Sequence, residues 1–192
     1  MTNDDPVLHH FLTQQPLIAK LIPVAVTYAT ANGHAFLDEF HLFSALLDTL
    51  PGAINQKGPT RSFAGQYKAA LAKLVRIEQQ IPDIQGVSPS MHKLLYGVVA
   101  DCIVLGTYTI QPRHVLLYGL SRPGIVTYSV IERMGYSPRE LIESALPLFP
   151  DADFDKEKTY FQGIHDLLLT VRPASSDGSE HLPKDFKAKR EA

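Results

Sequence analysis

Apolar positions early in the chain recur at helical spacing. Ile18, Leu21, Ile22, Ala25 and Ala29 fall on one face of a helix with 3.6 residues per turn. The pattern returns 73 residues later at Met91, Leu94, Leu95, Val98 and Cys102. Each stretch predicts a long amphipathic helix. Pro16 and Pro89 suit a first turn, where the missing N–H has no intrahelical partner to lose. Gly33 and Gly106 suit the left-handed residue that closes a helix.

With the 73-residue offset applied, residues 16–47 and 89–120 share seven identities over 32 positions: Pro16/Pro89, Lys20/Lys93, Leu21/Leu94, Val26/Val99, Gly33/Gly106, His41/His114 and Leu47/Leu120. A second helix follows each glycine, capped by Asp38 with Glu39 in the first copy and by Gln111 with Pro112 in the second. His41 and His114 stand in the first turn of that helix. Repetition on an apolar helix points to a packed structural residue whose ring nitrogen bonds nearby backbone, rather than to a metal ligand or a catalytic base. Beyond the second copy, Pro123 and Gly135 bound one further helix, and Ser137 to Glu140 form a capping box for another. The first copy departs after Pro51 and Gly52, where a loop, "NQKGPTRS", precedes one longer helix near residues 63–80. From Phe154 to Val171, Tyr160, Phe161, Ile164, Leu167, Leu168 and Val171 make a last stripe, a helix that either docks on the repeats or presents itself to another protein.

The strings "ATANGHAFLDEFHLFSALL" and "VADCIVLGTYTIQPRHVLLYGL", followed by "VIERMGYSPRELI", resemble the amino-terminal domain of Clp/Hsp100 unfoldases, the double Clp-N repeat. The resemblance implies an all-α fold, a pseudo-twofold double repeat of helical units with an extra C-terminal helix. The chain then divides into an N-terminal segment at 1–15, repeats at 16–81 and 82–150, a helix at 151–171 read from its apolar stripe, and a tail at 172–192 whose polar composition makes it flexible. The resemblance further implies a domain that binds substrates or adaptor proteins and does no chemistry of its own. No G-x-x-x-x-G-K-[ST] loop is present, so a self-powered unfoldase is not expected. Relatives with stand-alone Clp-N repeats suggest an accessory, adaptor or substrate-recognition factor whose partner is a protein or peptide, such as a Clp ATPase, a ClpP-type protease or an adaptor. Members that read phosphoarginine place an acidic residue just before each repeated histidine. Phe40 and Arg113 stand there in this chain, and that ligand is not expected to carry over.

These departures define the candidate recognition surface: Glu39, Phe40 and Arg113 in the first turns of the two repeated helices, with Gly33, His41, Gly106 and His114 in structural roles. Helical geometry turns Phe40 toward the surface, where an aromatic ring suits a partner, or the ring folds back onto the remodelled loop. Arg113 at a helix N-terminus suits an acidic peptide.

Composition narrows the classes. The 18 basic and 20 acidic side chains give a formal charge of −2, with no broad attraction for nucleic acid. The acidic start and the lack of an apolar run of roughly 18 residues imply no membrane span and a cytoplasmic protein. The single cysteine, Cys102, reads as a small buried hydrophobe. Eight histidines show no metal-ligand spacing, and no cofactor is expected. The alternatives are a helical DNA-binding regulator, disfavoured because "EFHLFSALLDTL" carries no Arg or Lys and "PRHVLLYGL" one, and an enzyme with an unrecognised site.

Overall fold

A computed structural model describes residues 14–50, 63–74 and 84–171. Most of the N-terminal segment, the loop at 55–62, the end of the helix near Gln80 and the tail from Arg172 lie outside these residues.

The described chain is all-α in character. Its helices are α1 (Pro16–Ala31), α2 (Glu39–Thr49), α3 (Phe63–Leu74), α4 (Pro89–Leu105), α5 (Pro112–Ser121), α6 (Val126–Arg133), α7 (Pro138–Ala145) and α8 (Phe154–Val171), with a 3-10 turn at Leu146–Leu148. Both long helices open with proline in the first turn. Each is followed by a glycine in the left-handed region, Gly33 at φ 70° and Gly106 at φ 72°. There an L side chain is strained, so glycine is the low-cost choice. Pro23 lies inside α1 on an exposed position, so the carbonyl it leaves without its i+4 donor, that of the exposed Ala19, faces solvent. Ser88 caps α4 by accepting the Met91 amide at 3.1 Å, and Ser137 caps α7 by accepting the Glu140 amide at 3.3 Å. None of the helices among the described residues is long and apolar enough to cross a membrane.

An all-α chain calls for no strand, but two short ones occur among the described residues, β1 (Phe36–Leu37) and β2 (Gly86–Val87), paired in parallel. The chain entering α4 is bound to the chain entering α2. The Gln85 amide donates to the Ala35 carbonyl at 2.6 Å and the Ser88 amide to the Leu37 carbonyl at 3.0 Å. At the offset-equivalent place a side chain does similar work. Buried Gln15 accepts the Ile110 amide through Oε1 at 2.9 Å, and its Nε2 lies 3.5 Å from the Tyr108 carbonyl. One carboxamide carries both a donor and an acceptor, so it can stand in for a peptide unit.

The core is centred on α2 and α5. Every residue from Glu39 to Leu47 and from Arg113 to Ser121 is buried. α2 is packed by α1, α3, α4, α5 and α6, and α5 by α2, α4, α6, α7 and α8. Glycines set the closest approaches. A Cβ at Gly119 would stand 2.7 Å from Phe43 Cε2, and one at Gly97 would collide with the Tyr118 ring. Both rings need the missing side chain.

Candidate functional site

The first turns of α2 and α5 use their histidines in the same way. His41 Nδ1 accepts the backbone N–H of its N-cap, Asp38, at 2.9 Å, and His114 Nδ1 accepts that of Gln111 at 3.1 Å. Each ring takes the part that Glu or Gln plays at the third position of a capping box. In His41 the proton then sits on Nε2 and is donated to His34 Nδ1 at 2.6 Å. Burial, reinforced by His34, lowers the pKa of His41 to about 3, and burial with the nearby Arg113 lowers that of His114 to about 4. Both rings are neutral at ordinary pH. The second copy differs in its surroundings, with Cys102 Sγ 3.2 Å from His114 Nδ1 and Thr107 at the place equivalent to His34. His114 Nε2 is buried without a hydrogen-bond partner among the described residues. Burial pushes the Cys102 thiol pKa up, the wrong direction for a nucleophile.

Glu39 does not lie at the surface. Its carboxylate is fully buried and accepts the amides of Phe40 at 2.8 Å and Thr127 at 3.0 Å, so it caps the start of α6. Desolvation raises its pKa to about 7, against the lowering effect of those amides, while Asp38 adds to the rise. The neighbouring Asp38 carboxylate accepts from Ser90 Oγ at 2.6 Å and joins the start of α2 to the first turn of α4.

Phe40 departs from its expected surface position. It is 4% exposed and packs against His34 edge-on, with ring centroids 5.8 Å apart, and against His41 at 4.3 Å. The physical reason is that α2 is covered on every side, so no face of its first turn remains for a partner. "EFHLFSALL" carries the signal that single-face reasoning missed: a helix apolar nearly all round belongs inside.

Arg113 is also inside, 7% exposed, and its Nε donates to both carboxylate oxygens of Glu157 at 3.0 and 3.1 Å. It therefore meets an acid, but one supplied by α8 of the same chain. α8 docks along α5 and α7. Tyr160 donates to Asp101 Oδ1 at 2.7 Å, Lys156 to the Leu105 carbonyl at 2.8 Å, and Tyr128 Oη lies 3.0 Å from His165 Nε2. Asp101 is further paired with Arg122 at 2.6 Å. Burial pushes the Tyr160 hydroxyl up to about 12 with help from Asp101. Glu157 and Asp101 had no role in the sequence reading because their partners are 44 and 21 residues away.

With Glu39, Phe40 and Arg113 committed inside, the outward-facing apolar groups lie elsewhere. Ile103 is 66%, Val104 62% and Tyr108 84% exposed, three large side chains within six residues at the end of α4. Their offset equivalents in the first half are Thr30, Ala31 and Ala35, so the feature belongs to the second half alone. "CIVLGTY" shows it in hindsight. Cys102 and Leu105 complete the buried stripe, leaving Ile103 and Val104 on the opposite face. No group of three or more His, Cys, Asp or Glu side chains suited to a metal ion occurs among the described residues.

No family model matches this chain, and no curated protein matches it.

Proposed function

We propose that this chain is a Clp-N-like pseudo-twofold double-repeat module that binds a protein or peptide without catalysing a reaction, as an accessory, adaptor or substrate-recognition factor of a Clp/Hsp100 system. The repeated unit of long helix, left-handed glycine and histidine-capped helix supports the fold part of this reading. The observation that carries the binding part is the outward cluster Ile103, Val104 and Tyr108. Exposed aliphatic and aromatic groups this close together are characteristic of interaction sites. With α8 docked and the first turns of α2 and α5 covered, the recognition surface of this reading is the end of α4.

The test is capture from native lysate by the intact chain, with bound proteins identified by mass spectrometry, beside an Ile103→Asp/Tyr108→Ser variant. Recovery of an Hsp100 ATPase or ClpP-type subunit by the wild type, reduced at least about tenfold in the variant, is the expected result, a loss equivalent to about 1.4 kcal/mol. Recovery of a Clp component in equal amounts by both would remove the α4 surface. Recovery of unrelated proteins alone would remove the Clp assignment.

A further inference from the structure

α8 sits on the core in the manner of a bound peptide. Of its 18 residues, only Glu157, Phe161, Gln162 and His165 are buried, while Leu167, Leu169 and Val171 remain exposed. The docked face has a simple code: an acid, an aromatic four residues later and a hydrogen-bonding ring four residues after that, which place all three on one side of a helix. Each has a dedicated receiver. Glu157 meets Arg113, Phe161 enters the core fully buried, and His165 meets the Tyr128 hydroxyl. The rest of the attachment is mostly polar, including Tyr160 to Asp101, Gln162 to Glu143, and the exposed ion pair of Arg139 with Asp166. One wholly buried apolar side chain amid many polar contacts resembles a transient interface more than a core.

We propose that the groove bounded by α5, α7 and the 3-10 turn is a docking site for an acidic amphipathic helix of a partner protein, with α8 its resident and displaceable occupant. The inference rests on the reading of this chain as a protein-binding module and names the chemistry of a partner. Charge complementarity selects the occupant. Arg113 is a buried cation that requires a carboxylate, because a buried charge left alone is strongly unfavourable. The first half offers no counterpart, since Phe40 stands at the equivalent position. A competing helix must therefore bring an acid to Arg113 and an aromatic to the site of Phe161.

The probe is a fluorescein-labelled peptide of residues 151–171, titrated by fluorescence polarisation against the full chain. Wild type binds it weakly, because the tethered α8 competes at high effective concentration. Glu157→Arg in the full chain repels its own α8 from Arg113, and the peptide is expected to bind at least about tenfold tighter than to wild type. Arg113→Glu abolishes binding of the wild-type peptide and restores binding of a Glu157→Arg peptide. If Glu157→Arg loses its helical circular dichroism, Phe161→Ala in the full chain serves instead, with the same tightening expected. A folded variant that binds no tighter than wild type overturns the proposal, as does an Arg113→Glu chain that binds both peptides alike. Charge-swapped peptide binding without lysate capture of a Clp component supports the groove and overturns only the Clp assignment. Clp capture without peptide binding overturns the groove alone.

Discussion

The Glu39 carboxylate accepts the amide of Thr127 at 3.0 Å, a bond spanning 88 residues of chain that ties the start of α2 to the start of α6. Both termini lie in the interior, where the charged form of an acid is disfavoured. Desolvation raises the pKa from 4.5 to about 7. The folded state therefore holds a proton over a range in which the unfolded chain has lost it. Stability from this group is full below about pH 4.5 and is lost as pH rises toward 7. Replacing Glu39 with Gln keeps an acceptor for Thr127 and removes the titration. The difference in unfolding free energy between Glu39→Gln and wild type should move in favour of the variant by roughly 2–3 kcal/mol across that window. Urea titrations at pH 4.5 and 8 measure it, and a constant difference would contradict the assignment.

The histidines act in the opposite sense. Their folded pKa values, about 3 for His41 and about 4 for His114, lie below the ordinary 6.5. Their contribution is fully present above pH 6.5 and is lost as pH falls toward those values. At neutral pH, His114→Ala should cost about 1–3 kcal/mol, because it empties the space of a fully buried ring and leaves the part-buried Gln111 amide without its acceptor. His114→Gln, which can reach back to the N-cap amide, should cost less. Thermal melts of the two variants at pH 7 test the order.

Gly119→Ala brings a methyl group to 2.7 Å from the Phe43 ring, in the crossing of the two central helices. A loss of about 1–3 kcal/mol is expected, since the fully buried ring has little room to yield. Phe43→Leu together with Gly119→Ala should recover part of it. A double-mutant cycle by denaturant unfolding reads the coupling, and strict additivity would place the clash elsewhere.

Cys102→Ala with Thr107→His gives the second half the residues that stand at the equivalent places of the first, Ala29 and His34, the latter the partner of His41. A ring at 107 then supplies an acceptor for the buried Nε2–H of His114, and the double variant should melt higher than Cys102→Ala alone. An equal or lower melting temperature would show that the second half cannot accommodate the first-half arrangement.

Ile103→Asp should leave stability within about 0.5 kcal/mol of wild type, since its side chain is largely solvated. Unchanged melting with reduced partner capture separates this surface from the core.

Local features needed only local information. Pro16 and Pro89 start helices because proline there loses no hydrogen bond, and Gly33 and Gly106 adopt positive φ because they lack a Cβ. Those causes act within about four residues of chain, so the sequence by itself determined where α1 and α4 begin, the turns that follow them and the mostly helical character. Periodicity also marked the inward stripes of α1 and α4, whereas tertiary structure decided which side chains of α2, α5 and α8 meet water. Phe40 and Arg113 stand at equivalent positions, yet one packs on two imidazoles and the other pairs with an acid on α8. Glu39 has a role only because α6 begins beside it. Periodicity counts how many faces of a helix are apolar, while burial depends on how many other elements arrive to cover it, and those elements lie tens of residues away.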